Sequence, residues 1–111
     1  MADETITSEV IKERDWTVLA MTGRLDRMTA SQSEEKADAI MASCAKFAID
    51  VKGLSYLSSA GIRILLRLAQ KAKAKQKSFA VCGAEGFVKE VIEESNMNAI
   101  VKIYGERSEL L

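Results

Sequence analysis

The sequence predicts a single α/β domain with a mixed, mostly parallel sheet of about five strands, an N-terminal hairpin and three to four helices. Three observations carry this expectation. Short β-branched and apolar runs alternate with longer segments of helical period, which is the pattern of strands joined by crossover helices. The runs close at glycines or polar turns. A chain of 111 residues, 48% hydrophobic and 5% aromatic, can bury one aliphatic core but is too short for two domains.

Val10 and Ile11 lie in a short extended stretch, and Trp16 to Thr22 (WTVLAMT) is an apolar run closed by Gly23, so the two form a hairpin through Arg14 and Asp15. Ala37, Ile40, Met41 and Cys44 then recur at i, i+3, i+4 and i+7, which makes an amphipathic helix opened by Thr29 or Ser31. Phe47 to Val51 (FAIDV) reads as a short strand stopped by Gly53. From about Ser59 a second helix carries Ile62, Leu65, Leu66 and Ala69, with Ile64 and Leu68 widening the stripe to a width that fits against a sheet. Ser78 to Cys82 is the fourth strand, stopped by Gly83, and Phe87, Val88, Val91 and Ile92 mark a third helix with Asn96 at its left-handed C-terminal cap. Ile100 to Tyr104 is the last strand, and GERSELL is a tail or short final helix.

Composition narrows the chemistry. The chain has no histidine, which closes the His-dependent triads, His-ligated metals and imidazole acid/base catalysis. Cys44 and Cys82 are too few for a disulfide framework or a four-cysteine zinc site, they fall on apolar-patterned faces, and they fit a reducing cytoplasm. No catalytic residue, metal or cofactor is expected. The polar, acidic start MADETITSEV is unlike a secretion signal, and no run is long enough to span a membrane, so direct insertion is not expected either.

Net charge is zero, but its distribution is uneven. Residues 59 to 77 hold six basic side chains (Arg63, Arg67, Lys71, Lys73, Lys75, Lys77) and no acidic one, between two acidic flanks. Without aromatic interleaving, a recognition motif or net basicity, this run does not predict nucleic-acid binding. Gly83-Ala84-Glu85-Gly86 lacks the GK[ST] ending of a phosphate loop and reads as a turn into the third helix. Asp26 and Asp50 have no third ligand in the pattern.

The informative segment is LSYLSSAGIRILL, Leu54 to Leu66. Ser58 and Ser59 stand between a strand and an apolar helix, and a helix N-terminus stabilises an anion through orphan N–H groups and its dipole. Arg63 lies one turn after Ser59 on the same face, and Arg67 a turn further. Serine caps most often do nothing else, so this spacing alone does not identify a switch.

The segment resembles the signature of the STAS-domain anti-sigma factor antagonists, in which Asp-Ser-Ser-Gly follows a strand and an aromatic residue, and the serine after the Asp is phosphorylated. Ser58 takes the Asp position, Ser59 the phosphoacceptor, Ala60 the second serine and Gly61 the glycine. Thr22-Gly23-Arg24-Leu25-Asp26, Ile49-Asp50-Val51 and Glu94-Ser95-Asn96-Met97 are similar to further family motifs, so the likeness covers nearly the whole chain. It implies a single STAS domain over residues 1–111.

That resemblance also implies a mechanism. The unphosphorylated protein would bind an anti-sigma factor that is a serine kinase of the GHKL type and so release a sigma factor. The partner would phosphorylate Ser59, with Ser58 as the alternative, using its own ATP, and a phosphatase would reverse the step. Asp26, Ser58, Gly61 and Arg63 would support the switch loop, although Asp26 fits a plain turn-forming role equally well. The alternatives are a cytoplasmic accessory subunit of a lipid or anion transporter, or a scaffold component of a stress-signalling complex.

Overall fold

The computed structural model describes residues 6–111. Strands β1 (Ile6–Glu13) and β2 (Trp16–Leu25) form the expected antiparallel hairpin, with Arg14 in the left-handed region (φ 56°) at its turn. Helix α1 (Ala30–Met41), β3 (Lys46–Leu57), α2 (Ser59–Ala74), β4 (Ser78–Cys82), α3 (Gly86–Glu94) and β5 (Lys102–Tyr104) follow. The sheet order is β1-β2-β3-β4-β5, and every pairing after the hairpin is parallel. Asn96 takes the left-handed conformation (φ 63°, ψ 23°) that the sequence assigned to it.

Three boundaries differ from the sequence reading. Gly53 does not stop β3, which continues to Leu57 and pairs Gly53 with Thr22 beside a β-bulge. Here glycine serves close approach: a Cβ on Gly53 would sit 2.6 Å from Met21 O. Likewise Gly23 does not close β2, which runs to Leu25 alongside the lengthened β3. Ile100 lies in a turn outside β5 and is 66% exposed.

All three helices contribute to one large core with Leu19, Met21, Phe47, Ile49 and Val81 from the sheet. Helix α2 buries Ile62, Ile64, Leu65, Leu68 and Ala72. A fully buried leucine or isoleucine contributes about 1.5–3 kcal/mol, against ~1 kcal/mol for a cap hydrogen bond. Packing therefore fixes α2, and its first residues can change chemistry without moving it.

Two members of the basic run, Arg67 and Lys71, are paired with acidic side chains of α1. Arg67 makes a bidentate pair with the buried Glu34 (Nε–Oε2 3.0 Å, Nη2–Oε1 2.7 Å), and Lys71 bonds both Glu34 (2.9 Å) and Asp38 (2.9 Å). Arg67, which its spacing placed with Ser59, is thereby directed across to α1. Burial pushes the Glu34 carboxyl up, but the hydrogen bonds from Lys71 and Arg67 outweigh it and leave the group below its ordinary value of 4.5. A depressed carboxyl pKa adds stability above the unfolded value and loses it as pH falls through the folded one. Glu34→Gln is expected to lower stability by about 1–2 kcal/mol near neutrality. In urea titrations that difference should shrink as the pH falls below 4.5; an equal deficit in acid would contradict the ion-pair account.

The opposite face of the sheet carries a second, smaller cluster of Trp16, Val18, Ala48, Ala80, Cys82 and Leu110. The final segment, with a 3-10 turn at Arg107–Glu109, crosses this face. Cys82 is buried and Cys44 half-buried, both as free thiols.

Candidate functional site

The carboxyl ends of β2 and β3 meet the start of α2, where parallel α/β sheets gather their sites. Leu25 and Leu57 are register partners at the last position of their pairing, and Ser58 N donates to Leu25 O at 3.0 Å. Gly61 is required by this contact, since a Cβ there would lie 2.8 Å from Leu25 O and 2.6 Å from Leu57 Cδ1.

Ser58 is the N-cap of α2: its backbone is extended (φ −98°, ψ 176°), its Oγ accepts from Gly61 N at 3.3 Å, and its carbonyl accepts from Ile62 N at 2.9 Å. The two serines therefore differ. Ser58's hydroxyl is half-buried and engaged, while Ser59 is exposed in the first turn with, among the described residues, no side-chain partner. The first-turn N–H groups of Ser59 and Ala60 point out of the helix end, where an anion is stabilised. No acidic residue occupies that turn to oppose one. Arg63 is exposed a turn further on, also without a side-chain partner among the described residues.

Asp26 organises the neighbouring loop. Its carbonyl accepts from Ala30 N (2.9 Å), and its carboxylate accepts from Met28 N (2.9 Å), Thr29 N (3.2 Å) and Arg24 Nε (3.3 Å). Partial desolvation pushes its pKa up, but the two backbone N–H groups and the guanidinium outweigh that and hold it below the ordinary range. Thr29 is the residue before α1 but uses its hydroxyl to donate to Arg24 O (2.8 Å) rather than to cap the helix. Asp26 thus forms the turn and, through adjacent Leu25, abuts Ser58.

Sequence reasoning missed a stacked ridge beside the serines. Arg24 lies over the Tyr56 ring at 4.2 Å, and Tyr56 stacks on Phe87 with centroids 5.7 Å apart and planes 13° apart. Phe87, expected on the buried stripe of α3, is 52% exposed, and Met28 is 80% exposed. The chain of contacts Met28, Asp26, Arg24, Tyr56, Phe87 makes an apolar and charged rim that joins the serines through Leu25 and Leu57. An exposed aromatic ring stacked on a tyrosine that carries a guanidinium fits an interaction surface more than a catalytic cleft. Asp50, paired in the sequence reading with Asp26, belongs elsewhere: it bonds Lys52 N (2.9 Å) and Arg107 Nη1 (3.3 Å) on the second face.

The family described as Mlab, STAS domain, matches residues 9–102. An anti-sigma factor antagonist from Mycobacterium paratuberculosis is similar at 25% identity and a TM-score of 0.77, over 93% of this chain and 88% of that one. The phosphorylated form of the Bacillus cell fate determinant SpoIIAA matches with a TM-score of 0.66 at 16% identity, over 90% of this chain and 93% of that one. A sulfate transporter family protein from Wolinella succinogenes matches with a TM-score of 0.72 at 11% identity, over 96% and 92%. The two matches at lower identity share the fold.

Proposed function

We propose that this chain, which belongs to the STAS domain family, is a phosphorylation-controlled regulatory binding protein that acts as an anti-sigma factor antagonist. The observation that carries the reading is the division of labour between the serines: Ser58 is consumed as a cap, and Ser59 is exposed at the helix end beside a contact rim. In the unphosphorylated state the rim around Tyr56, Phe87 and Met28 docks on an anti-sigma factor and frees a sigma factor. The anti-sigma factor is a GHKL-type serine kinase that supplies ATP and the catalytic groups, and this chain supplies only the Ser59 hydroxyl.

A phosphate on Ser59 gains from the α2 dipole and from Arg63, and strands about −1.5 to −2 charges in the docked surface. A phosphatase then resets the switch. The proposed setting is cytoplasmic; no described helix is long and apolar enough to cross a membrane.

The test is incubation with the GHKL-type kinase of the same organism and ATP, followed by mass mapping. Phosphate is expected on Ser59 and lost in Ser59→Ala. Phosphate on Ser58 would overturn the assignment. An unmodified chain that co-purifies with a transporter ATPase would replace it by the transporter-subunit reading.

A further inference from the structure

The loop between β2 and α1 departs from the usual chemistry of a helix start. Thr29 stands at the N-cap position of α1, but its hydroxyl makes no cap hydrogen bond. It donates instead to Arg24 O (2.8 Å) and accepts from Asp26 N (3.0 Å). The Asp26 carboxylate accepts from Met28 N (2.9 Å) and Thr29 N (3.2 Å). A side-chain cap is forgone at α1, and the loop backbone is fixed in its place. The loop adjoins the serines, since Leu25 O accepts from Ser58 N (3.0 Å).

This fixed loop holds out Met28, which is 80% exposed. The other methionines among the described residues, Met21, Met41 and Met97, are no more than 2% exposed. An apolar side chain carried on a fixed backbone loses little freedom on docking, which suits it to anchor a contact. Methionine also carries a thioether that peroxides oxidise where they can reach it. Among the cysteines, Cys82 is buried and desolvation pushes its thiol up to about 12, so it is a poor competitor for oxidant. The accessible sulfurs are Met28 and the half-buried Cys44.

We propose that Met28 is a docking anchor and a redox site, whose oxidation by a peroxide to the sulfoxide releases the anti-sigma factor kinase without phosphate on Ser59. The inference rests on the reading of the chain as an anti-sigma factor antagonist. In the step a thioether lone pair attacks one peroxide oxygen, the O–O bond breaks, an S–O bond forms, and hydrogen peroxide leaves as water. Sulfur loses two electrons and the peroxide gains them. The product carries a strongly polar S–O group on a formerly apolar side chain, and burying that group unpaired in the contact opposes docking. A dithiol-dependent sulfoxide reductase restores the thioether, its dithiol becoming a disulfide and the oxygen leaving as water. The side chain is uncharged in both states, so this input acts through desolvation where phosphate acts through charge.

The test uses the full chain in a Cys44→Ser background, the GHKL-type kinase of the same organism, and hydrogen peroxide. Peptide mapping should place one added oxygen on Met28 roughly tenfold or more faster than on Met21, Met41 or Met97. Isothermal titration of the oxidised chain should show roughly 30-fold weaker binding at an unchanged thermal midpoint, restored by the reductase. Met28→Leu keeps the apolar bulk and should bind as wild type does, before and after peroxide. Unchanged affinity of the oxidised chain, an equal loss in Met28→Leu, or a core methionine oxidised ahead of Met28 overturns the inference and leaves the antagonist reading standing. Equal binding of Ser59→Asp and Ser59→Ala overturns the phosphorylation switch and leaves the Met28 result standing. A reduced chain that does not bind the kinase overturns both.

Discussion

Ser59→Asp is expected to weaken binding to the cognate anti-sigma factor kinase roughly 100-fold while leaving the fold intact. The two halves of that expectation have different causes. An acidic side chain in the first turn of a helix is stabilising by about 0.3–1 kcal/mol, so the thermal midpoint should hold or rise slightly. In the docked state the same carboxylate is stranded against a surface that accommodates a neutral hydroxyl. A penalty of about 2.8 kcal/mol then corresponds to the 100-fold loss. Isothermal titration with Ser59→Ala as control separates charge from shape, since alanine should bind as wild type does. Equal affinity of the aspartate variant would defeat the electrostatic switch.

The second large effect is on the scaffold of the same site. Gly61→Val should destabilise the protein by about 3 kcal/mol and lower Tm by roughly 10–15 °C. A Cβ at this position meets Leu25 O at 2.8 Å and Leu57 Cδ1 at 2.6 Å. The leucine side chain can yield, but the carbonyl is backbone and already accepts from Ser58 N. Relief therefore requires the start of α2 to move away from β2. Differential scanning calorimetry together with isothermal titration on the two variants should give opposite patterns: stability lost in Gly61→Val, and binding lost in Ser59→Asp without loss of stability. A Gly61→Val protein with the wild-type midpoint would contradict the close approach.

The element order was legible because strand runs and helical stripes differ in period, and because Asn96 and Gly83 mark backbone conformations that few other residues adopt. Gly53 misled because a glycine in a strand signals either a stop or a close neighbour, and the neighbour, Met21 O, is set by the pairing of β2 with β3. Ser58 and Ser59 were legible as a pair at a helix start, but only the hydrogen bond to Gly61 N distinguishes the cap from the free hydroxyl. Phe87 fits the period of α3, yet its ring lies on Tyr56, a contact between elements that no local pattern encodes. The partner of Arg67 is 33 residues away on another helix, so spacing along α2 could not reveal it.

The Glu34 knot has a kinetic consequence. By tying up Arg67 and Lys71 it leaves Arg63 as the unpaired cation nearest the start of α2 among the described residues, on a chain whose net charge is zero. Charges on the surface are felt over about 8 Å at physiological ionic strength. Added negative charge at Ser59 would therefore hardly alter how often two proteins collide, and would change how long they stay together. Such a switch is read in residence time, and raising the salt concentration should leave the association rate nearly constant.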